Sequence, residues 1–343
     1  MSRPPADRVH LPLAEARTIA LRALRGIGYD EADATILADH MIDAACCGYE
    51  YSGLPKILQI AQNPRSKRPR TPIRPIHETE VSVLLDGGNH SGMIAMHHAT
   101  TIAIDKAQRH GFALVGVTNS WMSGRSAYYV ERIARADLIA IHTVGASSLL
   151  APPGAARPAL GTNPIAFGFP TMDEPLVIDV SAAAFPGTEL DFHALLGLPL
   201  PDGVALDENG VPTTDAEAAK RGALLPFGGH KGFALAIAMQ ALGVLAGSGL
   251  SASKDYGYLV IAMRPDLLVP LEAFKRDLSD TLARIKATPK QPGVDEIRLP
   301  SERAFRERAL AAAHGIVIDR SILQALRYLA TQAEIDDGMH DVE

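Results

Sequence analysis

The stretch PFGGHKG at residues 226–232 and the uncharged run FALAIAMQALGVLAGSGL at residues 233–250 decide where this fold builds a binding loop. Glycines let the backbone approach a bound group closely, and Lys231 adds a positive point charge suited to phosphate or carboxylate. The run behind the loop predicts a buried helix whose N-terminal end faces whatever the loop holds. Free N–H groups and the helix dipole favour anions at such an end. The segment therefore predicts an anion-binding loop, with His230 as its second polar side chain.

The apolar run is 18 residues long, the length at which a membrane span must be considered. It contains Gln240, three glycines and many alanines, so a buried helix is the favoured interpretation and no membrane association is expected. The chain carries a net charge of −6 and no long stripe of Lys and Arg, which argues against a nucleic-acid partner. The one basic cluster, at residues 65–70, lies in a Pro-rich stretch and is interpreted as a solvated linker.

Size and cysteine content narrow the class of protein further. With 343 residues, 47% of them hydrophobic and 21% charged, the chain can bury a sizeable core in two domains or one large one. Cys46 and Cys47 are adjacent and no further cysteine exists, so a disulfide framework is not expected. The N-terminal MSRPPADRVHLPL lacks the apolar core of a signal peptide. Together these features predict a cytoplasmic protein.

Hydrophobic periodicity divides the chain into helical ends and a mixed middle. Helices are predicted at residues 12–29, 30–47, 92–110, 268–286, 301–314 and 321–333. Strands are predicted at residues 81–85, 113–117, 138–144, 165–169, 176–180 and 257–263. The Pro- and Arg-rich residues 62–79 are expected to cross between domains. The predicted fold is an α/β domain at residues 76–249, inserted into a mainly helical domain built from residues 1–75 and 250–343.

The common fingerprints of nucleotide and hydrolase sites are absent from the sequence: there is no Gly-x-Gly-x-x-Gly after the first strand, Walker loop, HExxH or Gly-x-Ser-x-Gly. His90, His97 and His98 form the closest histidine cluster, but cysteines or paired carboxylates at ligand spacing are missing, so no metal site is predicted. Four other polar, Gly-rich blocks remain, at residues 48–56, 119–124, 161–164 and 179–181. Each alone is more typical of a turn, but ligands collect at strand ends in α/β sheets.

In order and spacing, these blocks resemble the malate/L-lactate dehydrogenase-2 family of NAD(P)-dependent oxidoreductases, which includes ureidoglycolate dehydrogenase and Δ1-piperideine-2-carboxylate reductase. The similarity covers nearly the whole chain. Its best matches are LGTNP at 160–164, VID at 177–179, ALDENGVPTTD at 205–215, PFGGHKG at 226–232 and RLPSE at 298–302. The resemblance implies an enzyme that binds NADPH or NADH in an α/β domain without the Rossmann fingerprint. It also implies a homodimer that acts on a small-molecule carboxylate.

The resemblance also assigns residues to the cofactor. By position it implies that Lys231 contacts a cofactor phosphate or ribose. It implies further cofactor contacts from Ser147, Gly161, Thr162, Asn163, Asp179, Val180 and Ser181. Ser120 is also predicted to contact the cofactor, and His230 either does so or is merely a loop residue. Asp179 is in addition a predicted catalytic residue.

The first departure from the family pattern follows the second helix. Where the family reads Ser-His-Gly-x-x-Arg, residues 51–56 read YSGLPK, so Ser52 replaces the histidine and Lys56 the arginine. Tyr51 and Ser52 are predicted as catalytic residues that donate hydrogen bonds near the reacting centre. Lys56 either pairs with a substrate carboxylate as a point charge or is an ordinary surface lysine.

The other departures lie in the middle domain. Where the family reads Asn-Ser-x-His-Phe-Gly, residues 119–124 read NSWMSG, so Met122 replaces a second histidine. Trp121 and Met122 are predicted either to form an apolar wall of the substrate site or to pack in the core. The family's Arg-Gly-Lys after the aspartate strand is here Pro-Gly-Thr at residues 186–188. The cofactor side of the pattern is thus kept while the substrate side is changed.

The lost histidines favour one substrate class. Reducing a ketone produces an alkoxide that needs a proton donor, commonly a histidine. A cyclic imine can arrive already protonated and accepts hydride without a new proton at that step. The expected function is therefore NAD(P)H-dependent reduction of C=N in a cyclic 2-imino acid, or of C=O next to a carboxylate. The alternatives are a conventional 2-hydroxy-acid dehydrogenase with relocated acid–base groups and a non-catalytic or repurposed family member.

Overall fold

The computed structural model describes residues 7–249 and 256–340, with side chains as far as residue 332. These residues divide into two compact units. One unit is formed by the chain up to Pro69 and from Glu302 onward, and the other by Arg70–Ser301. The predicted domain ends at residues 1, 250 and 343, and the last residue of the apolar run, Leu250, lie outside the described residues.

The elements alternate along most of the chain. The strands are β1 (Arg8–Leu11), β2 (Arg74–Glu78), β3 (Ser82–Asp86), β4 (Phe112–Thr118), β5 (Ile139–Gly145), β6 (Ile165–Phe169), β7 (Leu176–Val180), β8 (Ala205–Leu206), β9 (Ala223–Leu224), β10 (Gly257–Met263) and β11 (Ile316–Asp319). The helices are α1 (Leu13–Gly26), α2 (Glu31–Cys46), α3 (Pro55–Gln62), α4 (Gly92–His110), α5 (Ser126–Ala134), α6 (Gly187–Leu196), α7 (Ala216–Arg221), α8 (His230–Leu245), α9 (Leu271–Lys286), α10 (Glu302–His314) and α11 (Arg320–His340). The mixed α/β class predicted from the sequence is confirmed.

The first unit is mainly helical and is tied together by its two ends. Helix α1 packs along α11, and β1 pairs antiparallel with β11, so segments from both ends of the chain share one core. The buried side of α1 repeats at helical spacing, with Ala16, Ala20 and Leu24 fully enclosed. Asp30 caps α2 by accepting a hydrogen bond from the Asp33 N–H at 2.8 Å, as the sequence predicts.

The second unit is built on a seven-stranded mixed sheet in the order β2-β3-β4-β10-β5-β6-β7. Only β3 and β4 are parallel neighbours, and every other adjacent pair in this sheet is antiparallel. It follows that β3, β4, β5 and β7 all run in the same direction. Their carboxyl ends therefore meet along one edge of the sheet.

Helices cover both faces of this sheet. On one face, the Tyr129 ring of α5 meets the His142 ring of β5 edge-to-face at 5.5 Å. Helix α4 lies on the same face, because Arg132 of α5 bonds to its Thr101. On the other face α8 packs so closely that a Cβ on Gly243 would lie 2.6 Å from the Cα of Gly145. Successive strand residues point to opposite faces, which places α8 and α5 on opposite sides of β5.

The boundary between the units differs from the predicted one at residue 250. Strand β10 lies between β4 and β5 and pairs with both, so this segment belongs to the α/β unit and the helical unit resumes only at Glu302. The predicted crossing at residues 62–79 contains strand β2, which pairs with β3 at the sheet edge. All five β2 residues are exposed, so their sequence carries no apolar alternation that would indicate a strand.

The prediction that the apolar run forms a buried helix is only half right. Helix α8 buries one side, while Leu235, Ile237, Val244 and Leu245 on its other side are 38 to 61% exposed. Helix α9 has no fully buried residue, although the sequence places apolar side chains on one of its faces. None of the helices in the described part of the chain combines the length and hydropathy of a membrane span.

Candidate active site

Most predicted site residues of the second unit lie on one edge of its sheet, which we call the carboxyl edge. It consists of the loops after β3, β4, β5 and β7, together with residues 161–164, which precede the antiparallel β6. The predicted residues found there are Ser120, Trp121, Met122, Ser147, Gly161, Thr162, Asn163, Asp179, Val180 and Ser181. The topology thus brings together side chains that are up to 61 positions apart between Ser120 and Ser181.

Asp179 is the ionisable group at the end of β7. Its Oδ2 accepts a hydrogen bond of 2.8 Å from the Ala127 N–H in the first turn of α5. The residue reaches the solvent, yet protein atoms crowd its carboxyl, and this desolvation raises the pKa of Asp179 above its ordinary value. The Ala127 hydrogen bond and the positive charge of Arg125 act in the opposite direction. The carboxyl therefore retains its proton to higher pH than an ordinary aspartate.

The loop at residues 119–124 is held against the loop after β3. The Ser120 hydroxyl donates to the His90 carbonyl at 2.7 Å, and the Trp121 indole N–H donates to the Asn89 carbonyl at 3.0 Å. Trp121 is only 2% exposed, so its ring packs within the protein, as the core interpretation expects. Met122 is partly exposed and has φ of +55°, a conformation that few side chains adopt. Backbone strain of this kind is concentrated at binding and catalytic sites.

Asn163 connects the carboxyl edge to α8. Its amide nitrogen donates to the Ala236 carbonyl at 2.9 Å and to the Gln240 Oε1 at 3.0 Å, and its Oδ1 accepts from the Ala146 N–H at 3.1 Å. Both amide hydrogens are used inside the protein, and the residue is 1% exposed. The structure therefore shows that this side chain has a structural role. The cofactor contact stays a prediction from the sequence.

Of the neighbouring residues, Gly161 is buried, whereas Thr162 and Ser181 are partly exposed and Val180 and Ser147 are exposed. Gly161 fits where it does because a Cβ there would lie 2.4 Å from the Asn163 Oδ1. The Thr162 carbonyl accepts from the Ser181 hydroxyl at 3.1 Å, which fixes the strand end after Asp179. Val180 is 44% exposed, and the exposed Ser147 hydroxyl lies 3.3 Å from that of Tyr256. These contacts fix the backbone of the carboxyl edge, and the Ser147 hydroxyl stays accessible to solvent.

The PFGGHKG loop lies next to the segment that follows β7. The Phe227 N–H donates to the Ala182 carbonyl at 3.1 Å, and a Cβ on Gly232 would lie 2.7 Å from that same oxygen. Gly228 and Gly229 have φ of +53° and +60°, and nothing lies within 4 Å of a Cβ built on Gly229.

His230 and Lys231 are both exposed in the first turn of α8. Open glycine backbone, a lysine and a helix N-terminus together suit a phosphate group. The residues present therefore fit a phosphate group of a dinucleotide, next to the segment that follows the Asp179 strand.

The three remaining predicted residues belong to the first unit. Tyr51 and Ser52 lie in a single 3-10 turn, Glu50–Ser52, and Ser52 is 7% exposed. Lys56 is in the first turn of α3 and is 1% exposed, with its Nζ donating to the Gln59 Oε1 at 2.8 Å. The interpretation of Lys56 as a surface lysine is therefore wrong. A buried ammonium is costly unless it has a partner or a function.

The histidine cluster is occupied by other contacts. The rings of His97 and His98 meet edge-to-face at 5.8 Å, and Arg132 donates to the His97 carbonyl at 3.2 Å. Within the residues that the structure describes, no three His, Cys, Asp or Glu side chains are grouped to hold a metal ion.

Sequence reasoning missed Arg125. It directly precedes α5, it is 7% exposed, and its charge acts on the Asp179 carboxyl. The available signal was its position next to the block at 119–124, but a single arginine after a glycine reads as a surface residue.

Comparison with known proteins identifies the family to which this chain belongs. A family model described as malate/L-lactate dehydrogenase matches residues 11–327. The chain belongs to the malate/L-lactate dehydrogenase family. The predicted resemblance is thereby confirmed, and the chain is an oxidoreductase of a family whose chemistry implies a nicotinamide cofactor.

Relatives within the malate/L-lactate dehydrogenase family differ in substrate. The chain is 30% identical to the malate/(S)-sulfolactate dehydrogenase of Methanothermus fervidus, over 94% of this chain and 97% of that protein. It is 31% identical to the Delta(1)-pyrroline-2-carboxylate/Delta(1)-piperideine-2-carboxylate reductase of Pseudomonas aeruginosa, over 93% of this chain and 98% of that protein. Ketone-type and imine-type activities thus both occur among its relatives.

Solved structures show the same division. The malate dehydrogenase of Pyrococcus horikoshii superposes with a TM-score of 0.85 at 27% identity, covering 97% of this chain and 98% of that one. The delta1-piperideine-2-carboxylate reductase of Pseudomonas syringae superposes with a TM-score of 0.79 at 28% identity, covering 94% and 99%.

Proposed function

We propose that this chain is an NAD(P)H-dependent reductase of small carboxylates that carry C=N or C=O next to the acid group, with cyclic 2-imino acids as its preferred substrates. The observation that carries the proposal is the Asp179 carboxyl, which lies at the open end of β7 with a raised pKa. Such a group keeps its proton to higher pH than an ordinary aspartate does and can give it to a substrate nitrogen.

The loop at residues 226–232 and the carboxyl edge hold the cofactor in this proposal. A bound nicotinamide dinucleotide supplies the hydride. Lys231 and the open backbone of Gly228 and Gly229 would hold its phosphates, because a lysine and the positive end of a helix dipole both favour anions. Ser147 and Ser181 offer hydroxyl groups along the same edge.

Imine reduction suits the groups that this chain retains. An imine that arrives unprotonated takes the Asp179 proton on its nitrogen, and one that arrives protonated needs only the Asp179 carboxylate beside it. In both cases the carboxylate stabilises the cationic iminium. Addition of hydride to the adjacent carbon then completes the amine without a further proton. The positions where the family carries histidine hold Ser52 and Met122, neither of which titrates near neutral pH.

Lys56 supplies the countercharge for the substrate carboxylate in this proposal. Its burial supports the role, because an ammonium enclosed by protein interacts with an anion more strongly than one in water. Its Nζ donates to the Gln59 Oε1 at 2.8 Å, which fixes the position of the ammonium.

The test is turnover by purified protein with NADPH and NADH. The substrates are Delta(1)-piperideine-2-carboxylate, Delta(1)-pyrroline-2-carboxylate, pyruvate and oxaloacetate. We expect the highest kcat/KM with a cyclic imine. Absence of NAD(P)H oxidation with all four would sink this proposal.

A second candidate is a 2-hydroxy-acid dehydrogenase, favoured by the similarity to malate/(S)-sulfolactate dehydrogenase over almost the whole chain. In that case ionised Asp179 accepts the hydroxyl proton, so oxidation of malate or sulfolactate increases at high pH.

We further propose that the protein acts as a cytoplasmic homodimer. The exposed apolar side of α8, with Ile237, Val244 and Leu245, supports this because a second copy would remove it from water. The absence of charged residues in α8 after Lys231 agrees with such a role.

A further inference from the structure

Gln240 is a buried polar residue in the middle of an apolar stretch of α8. Every other residue of the helix from Phe233 to Leu245 lacks a polar side chain, and Gln240 is only 9% exposed. A leucine at this position would fill a buried helical site without a polar group that has to be satisfied. The presence of an amide there indicates a role beyond packing.

The Gln240 amide is bonded at one end only. Its Oε1 accepts a hydrogen bond of 3.0 Å from the Asn163 Nδ2. Its Nε2 is also buried, and within the part of the chain that the structure describes it has no hydrogen-bond partner. A buried donor without a partner lowers stability. The bond to Asn163 is thus what this glutamine provides and a leucine would not.

The Asn163 side chain that receives this bond can be oriented in one way only. Its Nδ2 also donates to the Ala236 carbonyl at 2.9 Å, and its Oδ1 accepts from the Ala146 N–H at 3.1 Å. A carbonyl only accepts and an N–H only donates, so a flipped amide would lose both bonds. The backbone of Asn163 has φ of +39°, in the left-handed region that asparagine adopts more readily than most residues. Gln240 therefore adds a third bond to an amide that holds an unusual backbone in place.

The Ala146 N–H connects this amide to the carboxyl edge. Ala146 directly follows β5 and precedes Ser147, whose exposed side chain is a predicted cofactor contact. Gly161 lies against the same amide, because a Cβ on it would be 2.4 Å from the Asn163 Oδ1 and 2.7 Å from the Ala146 carbonyl oxygen. Hydrogen bonds from Asn163 to Gln240 and from Ala146 to Asn163 thus link the buried side of α8 to the segment at residues 145–147.

We propose that Gln240 is a positioning residue, which fixes the Asn163 amide and thereby holds residues 145–147 in the conformation that presents Ser147 to a nicotinamide dinucleotide. The inference rests on the proposed function, since it names the residue that keeps part of that cofactor site in shape. A segment that is already ordered does not have to be ordered by the cofactor on binding. Loss of the Gln240 bond transfers this cost to binding, so cofactor affinity falls while the reacting groups are untouched.

The first measurement needs neither cofactor nor turnover. Hydrogen exchange of the Ala146 N–H, followed by NMR, reports how firmly this group is bonded to Asn163. In Gln240→Leu the exchange rate should rise by about tenfold, the effect of one hydrogen bond. Gln240→Glu keeps an oxygen at the position of Oε1 and should return the rate to that of the unaltered protein.

The second measurement is calorimetric titration of the same variants with NADPH and NADH. In Gln240→Leu the Kd should rise by about tenfold, and kcat at saturating cofactor should stay unchanged. An Ala146 exchange rate that does not change overturns the inference. Faster exchange with an unchanged Kd also overturns it, because Gln240 would then have a structural role only.

Ser248→Ala is the matched control. Ser248 is 5% exposed, and its hydroxyl lies 2.9 Å from the position of a Cβ on Gly145. Among the described residues this hydroxyl has no hydrogen-bond partner. The variant removes a buried polar group beside the same strand end without touching Asn163, so the Ala146 exchange rate and the Kd should both stay unchanged. Equal effects of Ser248→Ala and Gln240→Leu would contradict a specific role of Gln240.

Should Gln240→Leu fail to fold, Gln240→Met decides in the same two measurements, because methionine is unbranched and of similar length but lacks the amide oxygen. Slower exchange and tighter binding in Gln240→Glu than in Gln240→Met support the inference, and equal values contradict it. An unaltered protein that binds neither NADPH nor NADH counts against the proposed function. The Ala146 exchange rates still decide in that case whether Gln240 holds the segment.

Discussion

At Asp179 the environment favours protonation, while one hydrogen bond and one positive charge oppose it. Desolvation raises its pKa, and the Ala127 N–H and the Arg125 charge lower it. The carboxyl also caps α5 from a neighbouring strand, so it joins a structural role to the proposed chemical one. These two roles can be separated by substitution, since an amide oxygen accepts a hydrogen bond but an asparagine has no titratable proton.

Asp179→Asn is expected to fold normally and to lose reduction by about 10²- to 10⁴-fold, the usual contribution of a general acid. Because the pKa of Asp179 is raised, the unaltered enzyme should keep its acid form, and its activity, to higher pH than an ordinary aspartate allows, and then lose activity as pH rises further. This fall should vanish in Asp179→Asn. The pH profile of kcat/KM checks both statements.

Asp179→Ala is the matched control for the cap. It should lose activity to the same extent but also about 1 kcal/mol of the free energy of unfolding, since the Ala127 N–H loses its acceptor. Equal stability of the Asn and Ala variants in urea unfolding would contradict a capping role.

Lys56 offers a second test at this scale. Lys56→Met keeps an apolar stem of similar length and removes the buried charge, and thermal unfolding reports separately what the lost Gln59 contact costs in stability. The KM for a carboxylate substrate should rise by about 10- to 100-fold, as expected for a lost hydrogen bond to a charged group. With the carboxamide analogue of the same substrate, the unaltered protein and the variant should be alike. An equal loss with acid and amide would show that Lys56 does not pair with the carboxylate.

Residue environments were the least predictable part of the site. The sequence placed Lys56 and Asp179 in polar blocks, but it could not tell a surface lysine from a buried one, because burial depends on contacts distant in sequence. Arg125 was overlooked for the same reason. Trp121 was open to two interpretations, and its bond to the Asn89 carbonyl comes from a loop 32 positions away.

At the scale of elements, strands were easier to predict than helix environments. The apolar runs at 113–117, 138–144, 165–169, 176–180 and 257–263 all became strands of the sheet. Strand β2 was missed because an exposed edge strand is held by backbone bonds, which leave no apolar pattern. Helix α8 is apolar all round, so its sequence carries no information about which side is buried. The carboxyl edge followed only from the strand order, which single-sequence patterns do not contain.

The loop before α8 can be tested as an element. Lys231→Ala should weaken NADPH and NADH binding by about tenfold, the effect of one charge-assisted hydrogen bond, because its exposed ammonium lies beside the open N-terminus of the helix. The dependence of Kd on salt should also become shallower. Calorimetric titration at two salt concentrations measures both effects.

Lys220→Ala is a suitable control for Lys231→Ala, since Lys220 is an exposed lysine on α7 that pairs with Asp191 and Glu217. It removes the same charge from the same unit and should leave Kd unchanged. Equal weakening by the two variants would mean that net charge, and not the loop, attracts the cofactor.

At the scale of the whole molecule, one long segment carries the sheet while the two ends of the chain form a separate helical unit. Strand β10 comes late in the sequence but lies at the centre of the sheet, between strands that come earlier. The division of the chain also gives the predicted cofactor residues and the predicted residues Tyr51, Ser52 and Lys56 to different units. Substitutions of the predicted cofactor residues should therefore change cofactor affinity. Substitutions of Tyr51, Ser52 or Lys56 should instead change the KM of the substrate.

The exposed apolar side of α8 leads to the prediction about assembly. A stable dimer commonly buries about 1,200 to 2,000 Å² in total, and a charge placed inside such an interface costs several kcal/mol. Leu245 is 61% exposed, so Leu245→Asp should leave the fold intact while converting a dimer into a monomer in light-scattering chromatography. Val211→Asp, at a side chain that is 55% exposed in the loop after β8, introduces the same charge and should remain dimeric. A Leu245→Asp protein that is still a dimer would mean that the interface lies elsewhere on the surface. An unaltered protein that is monomeric would contradict the homodimer proposal, and the apolar side of α8 would then lack the partner that we assign to it.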